Sequence, residues 1–131
     1  MQCGIIATMT PDYLDLLGVP FKRGARGPEA YDCYGLAIEM FRRAGVELPD
    51  FESPGTLEEV ADLISSESAR WRRVPIGTVG SLVTLRVDGI GAHVGYTLTD
   101  DRFLHAFEAT GVTTERLTNG TIKPLAAYLY A

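Results

Sequence analysis

The sequence predicts an α+β domain, with N-terminal helices packed on one face of an antiparallel sheet. Two observations carry that expectation. Apolar residues recur at helical spacing in three stretches up to Ser66, and from Gly80 onward the period changes to two. A third observation sets the scale. At 131 residues, 46% hydrophobic and 22% charged, the chain reads as a single globular domain, residues 1–131, long enough to bury a core.

Thr10-Pro11 reads as an N-cap followed by proline at the first helical position, opening a short helix through Leu17. Tyr13, Leu16 and Leu17 would face the core, and Gly18 would end the helix. Val19 to Tyr31, with two prolines and two glycines, reads as a loop. A second helix begins near Cys33, with Leu36, Ile38, Met40 and Phe41 toward the core. Arg42 and Arg43 suit its C-terminal end, and Gly45 suits its stop. Thr56-Leu57-Glu58-Glu59 fits a capping box, opening a third helix through about Ser66 that buries Leu57, Val60, Leu63 and Ile64. Arg70 to Arg73 read as a solvated connection with Trp71 packed beneath, rather than as a binding patch. Strands are expected over Leu82–Val87, His93–Leu98, Phe103–Phe107, Val112–Leu117 and Ile122–Tyr130. Asp88-Gly89 and Thr99-Asp100-Asp101 supply turns between them. Ala126-Ala127 is the poorest β-forming pair in the set.

Composition excludes several classes. A net charge of −5 argues against nucleic acid as a partner, because phosphate binding calls for a basic surface. No apolar run approaches the roughly 20 residues of a membrane span. Met1 to Met9 lacks a basic region, so no signal peptide is read there. Cys3 and Cys33 allow one disulfide at most. No CxxC or HxxxH spacing points to zinc, and no metal or cofactor is called for.

The chemistry concentrates at Asp32-Cys33-Tyr34-Gly35-Leu36, where a glycine-rich loop, Gly24 to Ala30, gives way to the second helix. A cysteine in the first turn of a helix feels the positive end of the macrodipole, which lowers its pKa and favours thiolate. The only histidines, His93 and His105, lie 12 residues apart across an expected hairpin. Neighbouring strands can set such residues side by side. Direct pairing needs the hairpin centred on Thr99, whereas the turn residues Thr99 to Arg102 centre later, so the register stays open. A thiol nucleophile needs an imidazole base, and that base needs a third group to fix its tautomer. His93, among small neighbours in Ala92-His93-Val94-Gly95, reads as the base and His105 as the orienting group. The same residues admit plainer roles: Cys33 as a buried structural cysteine, the histidines as core or surface side chains, Cys3 as packing or in a disulfide with Cys33.

In combination, Gly18-Val19-Pro20-Phe21, the glycine-rich loop, Asp32-Cys33-x-Gly35-Leu36, Ala92-His93-Val94-Gly95 and Phe103-Leu104-His105-Ala106 resemble the NlpC/P60 family of papain-like cysteine peptidases. The resemblance covers nearly the whole chain. It implies a papain-like fold and cleavage of peptidoglycan stem peptides, typically between D-γ-glutamyl and a diamino acid. It implies Cys33 as nucleophile, His93 as general base and His105 as the orienting third member. It also implies an oxyanion contact from the backbone N–H of Cys33, and contact of Asp32 with the substrate's amine end.

Tyr34 stands where the family usually has serine. With Gly45-Val46-Glu47-Leu48-Pro49-Asp50, it looks most like members carried in phage tails. That implies synthesis in the bacterial cytoplasm, a place in a virion with tail-tip or hub proteins as partners, and action in the cell wall. A tyrosine often lies 12 residues before the nucleophile. Phe21 stands there, a substrate-side position without a hydroxyl, which leaves the oxyanion contact to Tyr31, Tyr34 or a backbone group. Ser81 replaces an aspartate usual at the first strand. Two other classes fit the same residues. One is a structural tail-tip subunit with weak catalysis. The other is an amidase or acyltransferase on small γ-glutamyl or lipid-like substrates, for which Lys22, Arg23 and Arg26 would meet an anionic carboxylate.

Overall fold

All five expected strands form, and a sixth joins them. The computed structural model describes residues 10–51, 57–66, 69–87, 90–118 and 120–131. The strands are β1 (Trp71–Val74), β2 (Leu82–Val87), β3 (Ile90–Thr97), β4 (Arg102–Phe107), β5 (Gly111–Arg116) and β6 (Ile122–Tyr130). They make one sheet in the order β1-β6-β2-β3-β4-β5, every pair antiparallel. β2 to β5 run as the expected meander. β6 then returns to pair with β2, so the last strand lies inside the sheet. Pro124, which has no N–H to donate, falls where the β2–β6 register shifts.

β1 corrects the reading of residues 70–73 as a connection. Trp71 is buried and Arg72 and Arg73 are exposed, as on a short edge strand. Trp71 pairs with Tyr130 and meets the rings of Phe41, Tyr128 and Tyr130 edge-on. Four residues, two of them arginines, are too few to show a period of two.

The first expected helix shrinks to a single 3₁₀ turn, Leu14–Leu16. Thr10 does not cap it. Its hydroxyl instead donates to the Leu98 carbonyl at 2.8 Å, which ties the segment to the sheet. The Asp12 carboxylate accepts the Leu14 N–H at 3.1 Å and starts the turn there. Leu16 is buried, and Leu17 is 42% exposed, contrary to its expected place in the core.

Two α-helices follow, α1 (Cys33–Arg43) and α2 (Leu57–Ser66). α1 ends where Gly45, at φ 88°, lets the Val46 N–H reach the Phe41 carbonyl and its own N–H reach the Arg42 carbonyl. That is a glycine-dependent stop that satisfies otherwise orphaned carbonyls. The expected cap at Thr56, the Asp88-Gly89 turn, Cys3 and the N-terminal stretch through Met9 lie outside the described residues.

Leu36, Ala37, Met40 and Phe41 of α1 pack with Leu82, Val94, Tyr96 and Leu104 in the main core. Val60 and Leu63 of α2 join the same cluster. Each of the Leu, Val, Met and Phe side chains among them contributes about 1.5–3 kcal/mol on burial. Val83, Leu85, Phe103, Leu117 and Ile122 form a second cluster. Among the described residues no helix is long and apolar enough to cross a membrane.

Candidate active site

The start of α1 is held by one carboxylate. Asp32 has extended backbone, and its Oδ1 accepts the Gly35 N–H at 2.7 Å, which caps the helix. Its Oδ2 accepts the Gly24 N–H at 2.8 Å, and Arg26 Nη1 donates to Oδ1 at 2.8 Å. Asp32 therefore sews the glycine-rich loop to the helix. Arg26 continues outward to the Asp50 carboxylate at 2.7 Å and the Phe51 carbonyl at 2.8 Å. Gly35 has its own reason: a Cβ there would run into the Ala25 carbonyl of the loop. The Asp-Cys-x-Gly pattern is thus a cap and a close approach flanking one thiol.

That thiol is 8% exposed. Its surroundings correct the expected pKa. Burial dominates and pushes it up to about 11, the neighbouring Asp32 charge acting in the same direction, while the N–H groups of Val94, Tyr34 and Cys33 itself pull the other way. The helix start acts in the expected sense but is outweighed. The Val94 contact has a second meaning, because Val94 directly follows His93 on β3. The fold therefore brings the sulfur to the His93–Val94 segment, some 60 residues away in sequence.

His93 and His105 meet. His93 Nε2 lies 2.7 Å from His105 Nδ1, with the rings edge-on at 4.9 Å between centroids. The pairing of Tyr96 with Leu104 and Thr97 with Phe103 centres the hairpin on Asp100, one residue past Thr99. The histidines are therefore diagonal neighbours rather than a direct pair, still within reach of long side chains. Burial first, and His105 second, push the His93 pKa down to about 3. Burial pushes His105 down to about 4. Both rings are therefore neutral near pH 7, one donating to the other.

The other expected site residues sit behind this centre. Tyr34 is 0% exposed and donates its hydroxyl to the Pro49 carbonyl at 2.8 Å. Its hydroxyl is thus engaged and does not stand in for the one that Phe21 lacks. Asp32 is 2% exposed, so neither residue offers surface to a ligand in this conformation. Phe21 is half-buried, bridges to Tyr31 through the backbone, and packs on the core. Arg26 is committed to carbonyl and carboxylate partners, whereas Lys22 and Arg23 are exposed. Ser81 serves the sheet locally. Its hydroxyl donates to the Thr78 carbonyl at 2.6 Å and meets the Thr97 hydroxyl at 2.9 Å.

One neighbour of the site is not legible in the sequence. Glu115 of β5 brings Oε2 to 3.4 Å from His105 Nε2. Only the β4–β5 register reveals it, because alternation alone places Thr113 and Glu115 on one face without saying whose.

A helix-start cysteine set against the His93–Val94 strand segment, with His93 bonded to a second histidine, narrows the comparison with known proteins. Residues 18–128 match the NlpC/P60 family model. The chain belongs to the NlpC/P60 family. Over 101 residues it is 31% identical to an Escherichia coli K12 protein named murein DD-endopeptidase MepS/murein LD-carboxypeptidase, covering 76% of this chain and 48% of that one. The chain thus spans about half the length of the curated relatives it matches. Two solved structures share the NlpC/P60 fold. NlpC2 from Trichomonas vaginalis superposes with a TM-score of 0.64 at 18% identity, over 88% of this chain and 43% of that one. A lipoprotein-like NLP/P60 protein from Staphylococcus aureus gives 0.61 at 21% identity, over 89% and 38%.

Proposed function

We propose that this NlpC/P60 domain is a cysteine peptidase that hydrolyses stem peptides of peptidoglycan through an acyl-enzyme intermediate. The observation that carries this reading is the convergence of the Cys33 thiol on the His93–Val94 segment, with His93 hydrogen-bonded to His105. The murein-directed name of the Escherichia coli relative supports the substrate class.

In this mechanism the Cys33 sulfur attacks the peptide carbonyl carbon as its proton passes to His93. The resting thiol and imidazole are both neutral, so proton transfer accompanies attack rather than preceding it. The Cys33 N–H takes the developing oxyanion. His93 then protonates the leaving amine as the C–N bond breaks, leaving a thioester on Cys33. Water attacks the thioester with His93 as base, releasing the acid and restoring the thiol. His105 holds the His93 ring in place. Asp32 fixes the loop and helix start, and a substrate amine reaching it would share its carboxylate with Gly24, Gly35 and Arg26.

The test is incubation of the purified chain with muropeptides. Wild type should release a new amine that Cys33→Ala does not. No release by wild type, or equal release by the variant, overturns the proposal. For the setting, Tyr34 and the Gly45–Asp50 segment support a phage tail, with tail-tip or hub proteins as partners. Mass spectrometry of purified particles should then find the chain in the virion fraction, and its absence there removes that setting. One observation favours a second reading, a structural subunit with little catalysis: the thiol is pushed up by burial. Amine release distinguishes the two.

A further inference from the structure

We propose that Glu115 is a positioning residue that sets the direction of the hydrogen bond between His93 and His105, and with it which nitrogen of His93 is free to take the Cys33 proton. This rests on the peptidase reading above. His105 is 1% exposed, and its Nε2 is buried with no hydrogen-bond partner among the described residues. The polar atom facing it is Glu115 Oε2 at 3.4 Å, a few tenths of an ångström beyond an ordinary N–H···O hydrogen bond. Glu115 pairs with Phe103 and so stands diagonal to His105 on the neighbouring strand. It is 30% exposed, so this carboxylate sits at the rim of the buried histidine pair.

The consequence follows from which atoms can donate. An ionised carboxylate accepts and never donates. Facing Glu115, His105 therefore carries its proton on Nε2 and presents a lone pair at Nδ1. That lone pair lies 2.7 Å from His93 Nε2, so His93 Nε2 must carry the proton of the pair. A neutral imidazole has one N–H. His93 Nδ1 is then bare, the form able to take the thiol proton. Reversing the chain reverses the outcome. With His105 Nδ1 as donor, His93 holds its proton on Nδ1 and has no nitrogen left to receive another from Cys33 by that route. Two buried imidazoles alone admit both directions, and a carboxylate at one end selects between them. The same charge stabilises the imidazolium that His93 becomes during attack.

The experiment uses the full chain labelled with ¹⁵N-histidine and long-range ¹H–¹⁵N correlation spectra, which report the protonated nitrogen of each ring. Wild type should show His93 protonated on Nε2 and bare on Nδ1. Glu115→Gln, which keeps an acceptor oxygen, should preserve that form. Glu115→Leu should populate the opposite tautomer. In the amine-release assay Glu115→Leu should lower kcat by roughly 10- to 100-fold with KM little changed, and Glu115→Gln should recover most of the loss. A wild-type spectrum with the proton on His93 Nδ1 overturns the proposal whether or not the leucine variant folds. An unchanged tautomer in Glu115→Leu also overturns it. Neither spectrum depends on turnover, so an inactive wild type would count against the peptidase reading alone.

Discussion

At Cys33 two effects act on one sulfur atom and oppose each other. The N–H groups of Val94, Tyr34 and Cys33 favour thiolate, while burial to 8% exposure, with the Asp32 charge adding to it, favours the thiol and prevails. The first effect is legible in Asp32-Cys33-Tyr34-Gly35, because a capping carboxylate and a helix pattern mark the position. The second is not, because part of the wall over the sulfur comes from Val94 on β3. The reactivity of the resting protein follows. At pH 7 a thiol pushed up to about 11 should react with iodoacetamide on the order of 100-fold more slowly than a free cysteine of pKa about 8.5. The rate should climb with pH into the alkaline range. A rate at pH 7 equal to or above that of a free thiol would show a preformed ion pair with His93 instead. The histidine contact is legible as a pair of residues but not as a geometry, since a turn centred on Asp100 rather than Thr99 changes a direct pair into a diagonal one.

At the scale of the element, the start of α1 depends on Asp32 for a cap, a loop anchor and an ion pair with Arg26. Asp32→Ala should lower stability by about 1–3 kcal/mol, read from urea unfolding, since it removes the cap and the loop anchor and leaves Arg26 with Asp50 as its carboxylate partner. A loss below about 0.5 kcal/mol would show that the loop holds itself. The other end of α1 answers to pH. Arg42 first, and Arg43 with it, hold the Glu39 carboxyl below its ordinary 4.5. A carboxyl depressed in the folded state stabilises fully above its unfolded value and loses that contribution as pH falls through the folded one. Wild type should therefore lose more stability than Glu39→Gln between about pH 6 and pH 3. Parallel losses in the two proteins would contradict this. α1 is legible because eleven residues show a full helical stripe with marked ends. The 3₁₀ turn at Leu14–Leu16 is not, because Thr10 has the look of a cap and only the fold shows its hydroxyl spent on Leu98.

At the scale of the molecule, the strands are legible from their period but their order is not. Alternation marks a strand and says nothing about its neighbour. β6, last in sequence, lies between β1 and β2, and buries Ala126, Ala127 and Tyr130. A chain ending at Thr121 should therefore fail to fold cooperatively, as followed by circular dichroism during heating. A sharp native-like transition in that truncation would contradict the sheet order. The same closure holds β2 against β3 and so supports the strand that carries His93 beside the start of α1. What this assembled site does can be read at one atom. A D-γ-glutamyl–diamino acid stem peptide is mixed with the protein, the reaction is quenched in acid within the first turnover, and the intact protein is weighed and digested. The expected result is an added mass equal to the acyl half of the peptide, located on Cys33 and absent from Cys33→Ala. Turnover of the peptide with no adduct on Cys33, or an adduct on another residue, would contradict it.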